Sequence, residues 1–286
     1  MNGYFVMSEL IQVEQLFTRT DLPGQVILDC RFDLQAPNKG LEQYREGHIP
    51  GALYADLAEQ LSGPCVPGQT GRHPLPSVEQ WQATLRQWGI EPQSQVVVYD
   101  QGNGMFAARA WWLLKWAGID KVQLLDGGLA RWQQLGGDCT RLVPVPQPSE
   151  IQITPRADWT ISAQELADRD ASTLVLDARA LARYRGDIEP LDTQAGHIPG
   201  AMNADFSKNL AADGRFLSSA ELAQRFAGLP NAALVCYCGS GVTACHNLLA
   251  LCESGRLMPT LYPGSWSEWI TDPQRAIGLG TEGPVW

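Results

Sequence analysis

The chain has 286 residues, of which 44% are hydrophobic and 18% are charged, so it is long enough and apolar enough to fold into one or two globular domains. Its formal net charge of −10 argues against nucleic acid or an anionic membrane surface as the main partner, because both require a basic footprint. A small anionic substrate is compatible with this charge, since it needs only a local positive pocket.

No stretch of the sequence approaches the roughly 18 consecutive apolar residues of a membrane-spanning helix. The first ten residues lack a basic segment followed by a long apolar run, so we expect no signal peptide. Seven cysteines are spread thinly over the chain, unlike the disulfide framework of a small secreted domain. The expected compartment is therefore the reducing cytoplasm.

The same motifs occur twice in the same order, which indicates a duplicated domain. GHIPGA stands at 47–52 and again at 196–201, an offset of 149 residues. YDQGNGMFAA at 99–108 aligns with CYCGSGVTAC at 236–245, an offset of 137 residues. The difference places about twelve additional residues in the first copy, and we assign them to the Gly- and Pro-rich segment 63–76, a predicted loop.

The first copy alternates strand and helix signals. QVILDC (25–30) and SQVVVYD (94–100) are short β-rich runs, and MFAARAWWLLKWAG (105–118) has the composition of a buried helix. The second copy repeats this alternation with STLVLDA (172–178) and AALVCY (232–237) as strands.

Helix signals in the second copy complete the pattern. VTACHNLLALCESG (242–255) is predicted to be a buried helix, and Ser-x-x-Glu capping boxes at 162–165 and 218–221 predict two further helix starts. Strands that alternate with helices predict the α/β class, with a mainly parallel sheet flanked by helices on both faces in each copy.

Prolines mark the boundary between the copies. Segment 142–159 contains four of them and is typical of an extended linker. We place the boundary near residue 148, which gives a first domain over 1–147 and a second over 148–286.

Cys238 ends a predicted strand, at the position where parallel sheets bind ligands. Gly239 and Gly241 permit a tight turn in which backbone amides and the start of the next helix converge on the thiol. This environment favours a thiolate, so we interpret Cys238 as a nucleophile rather than as a structural cysteine. The same turn suits a bound anion or a persulfide.

Two other interpretations of this segment are disfavoured. A zinc site built from Cys236, Cys238, Cys245 and His246 lacks a second well-spaced pair of ligands, and Cys236 and Cys245 are assigned to packing. A thiol phosphatase would carry an arginine six positions after the cysteine, where this chain has Ala244. We expect neither a metal nor an organic cofactor.

The duplicate loop supports the assignment of the nucleophile. It keeps both glycines in GNG but has Gln101 at the position aligned with Cys238. We therefore expect the first domain to lack chemistry of its own and to wall one side of the site.

The two GHIPGA motifs, LDARALARYRG, CGSGVT and LYPGSWSEW together resemble the tandem-domain rhodanese superfamily over essentially the whole chain. The loop CGSGVT is similar to that of 3-mercaptopyruvate sulfurtransferases. The resemblance implies two rhodanese-like domains and a two-step cycle, in which Cys238 takes a sulfane sulfur from a small anionic donor as a persulfide and passes it to a thiol, thioredoxin or cyanide. A thiosulfate sulfurtransferase and a persulfide carrier that serves a protein partner are the alternatives.

The resemblance also implies which residues contact the donor. Arg183, the first arginine of RYRG, matches the arginine that binds the anionic group of the donor, and Arg185 is expected to assist it. Leu191 stands where mercaptopyruvate enzymes usually carry a second arginine, which leaves the preferred donor open. The remaining expected contacts lie in the loop: Gly239, Gly241, Val242 and Thr243.

A Ser-His-Asp set around the cysteine is implied in the same way. Ser240 matches its serine, and His73, from the predicted loop 63–76, matches a histidine contributed across the domain interface. The aspartate position falls on Ala58, with Asp56 close by as a substitute.

Residues that occur in both copies are expected to be structural, because only one copy has the nucleophile. These are His48 and His197 inside the GHIPGA motifs and Asp29 and Asp177 at the ends of strands.

Overall fold

Two parallel β-sheets form the framework of the chain. The computed structural model describes residues 8–18 and 24–286, so most of the amino-terminal segment used for the signal-peptide expectation lies outside the described residues. The strands are β1 (Leu10–Ile11), β2 (Gln25–Asp29), β3 (Ala52–Tyr54), β4 (Gln95–Tyr99), β5 (Val122–Leu125), β6 (Leu174–Asp177), β7 (Met202–Asn203), β8 (Leu234–Tyr237) and β9 (Thr260–Leu261). The strand order is β1-β5-β4-β2-β3 in the first sheet and β7-β6-β8-β9 in the second, and neighbouring strands are parallel in both.

Helices connect and cover the strands. In the described part of the chain they are α1 (Val13–Leu16), α2 (Lys39–Glu46), α3 (Val78–Gln87), α4 (Ala107–Trp116), α5 (Gly128–Gln134), α6 (Ala163–Ala167), α7 (Leu181–Arg185), α8 (Ser219–Arg225), α9 (Thr243–Glu253) and α10 (Ser265–Trp269). None of the helices among these residues has the length and apolar character needed to traverse a bilayer. The α/β class, the four predicted strands and the two predicted buried helices are confirmed.

Both predicted capping boxes start a helix. The Ser162 hydroxyl accepts a hydrogen bond from the Glu165 amide at the start of α6, and Ser218 accepts one from Glu221 at the start of α8. Each glutamate carboxylate in turn accepts a hydrogen bond from the backbone amide of its serine. Two otherwise unpaired backbone donors are thereby satisfied at the start of each helix.

Alternation along the strands separates the core into layers. In β4, Val96 and Val98 belong to an apolar cluster that contains residues of both halves, which we call the shared core. Val97 and Tyr99, one residue out of phase, belong to a separate cluster behind the first sheet. The first sheet is therefore buried on both faces, as its continuous apolar run predicts.

The same alternation in β8 decides where the cysteines point. Val235 and Tyr237 pack in a third cluster behind the second sheet, whereas Cys236 joins the shared core. Cys238 continues the inward series and also belongs to the shared core. Its side chain therefore turns towards the first half of the molecule.

Helices α4 and α9 pack against each other across the shared core. Trp111 and Trp112 of α4 and Leu248 and Leu249 of α9 have no exposed surface. Each fully buried side chain of this size contributes roughly 1.5–3 kcal/mol of hydrophobic free energy. The two halves consequently share one apolar interior.

The repeated GHIPGA motif is held by the same contacts in each half. The ring of His48 stacks on Tyr44 with centroids 3.9 Å apart, and its Nδ1 lies 2.7 Å from the Tyr44 carbonyl oxygen. His197 and Tyr184 repeat this arrangement at 4.0 and 2.8 Å. The two histidines are buried and structural, as their duplication predicts.

Asp29 and Asp177 are structural in the same symmetrical way. Each carboxylate binds the arginine two residues further on, Arg31 at 2.7 Å and Arg179 at 2.6 Å. Each of these arginines also donates to the carbonyl oxygen of the first glycine of its GHIPGA motif. The strand end and the motif are thereby locked together in both halves.

Residues 63–76, the long loop, contain neither strand nor helix, as the glycines and prolines predict. The loop belongs to the first half but reaches the second. The Arg72 amide donates to the Ser267 hydroxyl at 3.1 Å, and a Cβ on Gly71 would come within 2.5 Å of the Gly264 carbonyl oxygen. The additional residues of the first copy thus lie directly against the loops of the second.

A buried arginine fixes the long loop against the second half. Arg109, near the start of α4, has no exposed surface, and burial lowers the pKa of its guanidinium. It donates hydrogen bonds to four carbonyl oxygens, those of Leu61 (3.2 Å), His73 (3.2 Å), Pro74 (3.3 Å) and Gly241 (3.1 Å). Three of these lie in the first half and one lies in the Cys238 loop.

We expect Arg109→Met to destabilise the protein by about 2–4 kcal/mol, because it leaves buried carbonyl oxygens without donors. The free energy of unfolding from urea titration measures the effect. The matched control is Arg45→Met, the same change at an exposed position of α2, which should stay within about 0.5 kcal/mol of the parent. Equal stability of the two variants would contradict the bridging role of Arg109.

Candidate active site

Cys238 follows β8, which lies between β6 and β9 in the second sheet. Its side chain is only 2% exposed. The residue thus occupies the carboxyl end of an inner parallel strand, the position at which such sheets bind ligands.

The turn after Cys238 aims a backbone amide at its sulfur. The Gly241 amide donates to Cys238 Sγ at 3.1 Å. Gly241 has φ +77°, and a Cβ there would lie 2.4 Å from the Pro263 carbonyl oxygen, so only glycine fits. An amide in this position stabilises negative charge on the sulfur.

Ser265 braces the loop from below. Its hydroxyl accepts the Cys238 amide at 3.1 Å and donates to the Tyr262 carbonyl oxygen at 3.0 Å. Ser265 has φ +55°, and its counterpart in the first half, Gly128, has φ +54°. A serine adopts this conformation at a cost, and the two hydrogen bonds offset that cost.

Ser240 and His73 meet across the two halves, as the sequence predicts. The Ser240 hydroxyl lies 2.9 Å from His73 Nδ1. Burial, followed by the positive charges of Arg109 and Arg72, lowers the pKa of His73 to about 4. The imidazole is therefore neutral at pH 7 and able to exchange a proton with Ser240. A cavity of about 430 Å³ opens beside His73.

The expected Ser-His-Asp set lacks its aspartate, because Asp56 does not hydrogen-bond to His73. Asp56 Oδ1 accepts the amides of Ala58 (2.8 Å) and Glu59 (3.0 Å), which uses the carboxylate to shape its own turn. Within the described residues the His73 ring hydrogen-bonds only to Ser240. Asp56 is therefore not the substitute considered from the sequence.

Two guanidinium groups lie beside Gly239, the residue after the cysteine. Arg183 reaches it from α7, with Nη1 and Nη2 at 3.4 and 3.5 Å from the position of a Cβ on Gly239. Arg72 reaches the same position from the long loop, with Nη2 at 3.0 Å. Burial and the Arg183 charge lower the pKa of Arg72.

Carboxylates neutralise this pair. Glu189 accepts from Arg183 at 2.7 and 3.2 Å, and Asp192 bridges Arg183 (3.2 Å) and Arg72. The Glu189 and Asp192 side chains are each only 4% exposed.

Other expected contacts fall elsewhere. Arg185 is half exposed and pairs with Asp187 at 3.2 Å, so the structure does not bring it to the cysteine. Leu191 is 48% exposed and turns towards solvent. Val242 packs in the shared core, and Thr243 begins α9, so both position the loop from behind.

The remaining cysteines of this segment are packed in the interior. Cys236 and Cys245 have no exposed surface, and burial raises the pKa of Cys245 to about 12 and that of Cys236 further. Neither forms a thiolate near neutral pH, which agrees with the packing role predicted for them.

The corresponding turn of the first half contains its own anion. The Asp100 carboxylate accepts the amides of Gly102 (2.9 Å), Gly104 (3.0 Å), Phe106 (3.0 Å) and Ala107 (3.3 Å). In the first half, the backbone amides of the turn are thus satisfied by the Asp100 side chain. In the second half, the amide of Gly241 faces the sulfur of Cys238.

A cavity of about 710 Å³ lies over this first-half turn rather than over Cys238. It is lined by Gln101 and Asn103, with Gln43 near the place that Arg183 takes in the second half. The residue that corresponds to Cys238 in this half is Asp100, because the Leu129 amide donates to the Asp100 carbonyl oxygen just as the Trp266 amide donates to that of Cys238. The expected alignment of Gln101 with Cys238 is therefore wrong by one residue, and Gln101 corresponds to Gly239.

Sequence reasoning missed three residues of the site: Arg72, Arg109 and Ser265. Arg72 directly precedes His73, and Arg109 is a charged residue near the start of the mostly apolar helix α4, so both carried a weak signal. Ser265 had none, because its role depends on a backbone conformation.

This fold and site define a class: a tandem α/β protein with a buried cysteine in a strand–turn–helix loop. The family model of the Rhodanese-like domain matches residues 12–135 and 162–272. The chain therefore belongs to the rhodanese-like family and contains two copies of its domain, which confirms the resemblance inferred from the motifs.

Similar proteins have two kinds of name. A probable 3-mercaptopyruvate sulfurtransferase of Pseudomonas aeruginosa is 50% identical over 280 residues, 96% of this chain and 99% of that protein. A putative thiosulfate sulfurtransferase of Mycobacterium tuberculosis is 42% identical over 281 residues, 93% of this chain and 97% of that protein. The solved structure of a 3-mercaptopyruvate sulfotransferase from Escherichia coli superposes with a TM-score of 0.80 at 31% identity, covering 92% of this chain and 100% of that one.

The lowered pKa of His73 predicts a pH dependence of stability. The unfolded chain protonates this residue near its ordinary 6.5 and the folded chain at about 4, so the unfolded state binds more protons between these values. The stability contributed by neutral His73 is complete above about pH 6.5, declines as the pH falls and is lost by about pH 4.

In His73→Gln we expect the free energy of unfolding to fall less steeply over this window, by up to about 1.4 kcal/mol per pH unit. Urea unfolding at several pH values measures the slope. Ser240→Ala, which keeps the histidine, is the control and should follow the parent. Parallel curves for the parent and His73→Gln would show that His73 titrates normally in the folded protein.

Proposed function

We propose that the protein is a sulfurtransferase that takes sulfur from 3-mercaptopyruvate on Cys238 and passes it to a thiol acceptor. The observation that carries the proposal is the position of Cys238 Sγ, under the Gly241 amide and next to two guanidinium groups at Gly239. A nucleophilic sulfur and a site for an anion are adjacent, which is what an anionic sulfur donor requires. All the relatives compared above are named as sulfur-transferring enzymes, and the Pseudomonas aeruginosa protein is named for 3-mercaptopyruvate.

The first half-reaction forms a persulfide. The Cys238 thiolate attacks the donor sulfur, a sulfur–sulfur bond forms, and the carbon–sulfur bond breaks with its electron pair on carbon. The proton of the donor thiol moves to that carbon, and pyruvate leaves. The charge of the Cys238 persulfide is then stabilised by the Gly241 amide.

Ser240 and His73 provide the path for the proton. The donor thiol loses a proton and the enolate carbon gains one, so a group that both accepts and donates must stand beside the sulfur. The hydroxyl of Ser240, in contact with neutral His73, meets this requirement.

The second half-reaction regenerates the free Cys238 thiolate. An acceptor thiolate attacks the outer sulfur of the persulfide, and the electron pair of the broken sulfur–sulfur bond returns to Cys238. A small thiol, thioredoxin or cyanide fits this step, and no cofactor is needed because donor and acceptor balance the electrons. We place this thiol-dependent cycle in the cytoplasm, where reduced acceptors are available.

The Ser240–His73 pair also favours 3-mercaptopyruvate over thiosulfate. Transfer from thiosulfate releases sulfite and moves no proton, so that donor has no use for a proton relay. Thiosulfate is nevertheless the second candidate, because Arg72 and Arg183 provide two positive groups for its two charges. A carrier that hands its persulfide only to a protein partner is the third.

Treatment with 3-mercaptopyruvate should add the mass of one sulfur atom to Cys238, and Cys238→Ser should lower turnover by at least about a thousandfold. Peptide mass spectrometry locates the sulfur, and pyruvate release measures turnover. Cys139→Ser, at an exposed cysteine, is the control and should behave as the parent. Undiminished turnover in Cys238→Ser with both donors would eliminate the proposal.

The donor preference has its own test. Ser240→Ala should lower kcat with 3-mercaptopyruvate about a hundredfold, because it interrupts the proton path, and should change turnover of thiosulfate little. Steady-state kinetics with both donors and a small thiol measure this. An equal loss with both donors would assign Ser240 to loop structure, and a higher kcat/KM for thiosulfate in the parent would reverse the choice of donor.

A further inference from the structure

We propose that the donor carboxylate binds between Arg72 and Arg183, one arginine from each half, and that the Asp192 carboxylate occupies this position while the donor is absent. The inference rests on the proposed function and extends it by a second binding arginine and an internal competitor for it.

Both guanidinium groups converge on the same small volume. Their nitrogens lie 3.0 to 3.5 Å from the position of a Cβ on Gly239, and Gly239 adjoins the nucleophile. A donor sulfur in contact with Cys238 therefore places its carboxylate, three bonds away, within reach of both arginines. Paired guanidiniums are well suited to hold a carboxylate in a fixed orientation.

A carboxylate already sits between them. Asp192 binds Arg72 through Oδ1 and Arg183 through Oδ2, the latter at 3.2 Å. Its side chain is only 4% exposed, so these two cations are its main compensation for lost solvation. The Asp192 carboxylate thus takes the position between the two arginines that we propose for the donor carboxylate.

The charges require exchange rather than addition. Arg72 and Arg183 are balanced by Glu189 and Asp192, so a further carboxylate would leave a buried excess of negative charge. Of the two acids, Glu189 is the more firmly held, because it also accepts the backbone amides of Leu191 and Asp192 and pairs with Arg183 at 2.7 Å. The Asp192 side chain is therefore the one that the donor replaces, while the backbone stays in place.

The long loop explains why an exposed leucine is tolerated at position 191. Leu191 turns to solvent, and the atoms of the second half that lie nearest to a Cβ on Gly239 belong to Arg183. The additional residues of the first half carry Arg72 to that place from the opposite side. Donor binding consequently depends on both halves.

Arg72→Met should raise KM for 3-mercaptopyruvate about ten- to a hundredfold with a smaller change in kcat, because it removes a charge-assisted contact to the carboxylate. Arg72→Lys should have a KM between those of the parent and Arg72→Met, since lysine keeps the positive charge but lacks the two parallel N–H donors of a guanidinium. Mercaptoacetone, which has a methyl group in place of the carboxylate, should be turned over equally by the parent and Arg72→Met.

Asp192→Asn should change KM in the direction opposite to Arg72→Met. Removing the internal carboxylate should lower KM for 3-mercaptopyruvate, and the inhibition constant of pyruvate, by about threefold or more. The matched controls are Arg215→Met and Asp213→Asn, an exposed arginine–aspartate pair joined at 2.8 Å, and both should match the parent.

The outcomes separate this inference from the proposed function. If the parent gains sulfur on Cys238 from 3-mercaptopyruvate but Arg72→Met leaves KM unchanged, or affects mercaptoacetone equally, the carboxylate site is wrong and the sulfurtransferase stands. A raised KM in Asp192→Asn would likewise overturn the role of Asp192. If the parent gains no sulfur, the proposed function fails first.

Discussion

The active site depends on one buried cation, the guanidinium of Arg109. In the shared core it is stabilised by four carbonyl oxygens, three from the first half and one from Gly241. Because these carbonyls belong to both the long loop and the cysteine loop, the arginine sets the distance between them. Burial is the main cause of the lowered pKa of His73, and the charge of Arg109 lowers it further, so the imidazole partner of Ser240 is neutral. Arg109 thus contributes both to the geometry of the site and to the protonation state of His73.

The two halves use the same turn in different ways. In the first half the amides are satisfied by Asp100, which leaves nothing for an external anion. In the second half the corresponding turn directs the Gly241 amide at Cys238. The first half also contributes to the surroundings of this turn, because its long loop places His73 against Ser240 and Arg72 beside Gly239. The candidate site is therefore built from residues of both halves.

An acidic protein accommodates an anionic donor through local charge balance. Arg72 and Arg183 are positioned beside the nucleophile but are paired with Glu189 and Asp192, so the site is neutral before any ligand enters. Buried guanidiniums without such partners would be costly to desolvate. The net charge of −10 consequently says little about the few ångströms around Cys238.

The sequence by itself determined the duplication, the α/β class and the strand that leads to Cys238, because period-two alternation, glycine turns and a repeated motif are local signals. It also paired Ser240 with His73, through the resemblance. Only the tertiary structure showed that Asp56 is used in its own turn, that Arg185 lies apart, and that Arg72, Arg109 and Ser265 belong to the site. The contacts of Arg72 join residues up to 195 positions apart in the chain, and the role of Ser265 depends on its backbone angle φ. The pattern of neighbouring residues in a sequence contains neither kind of information.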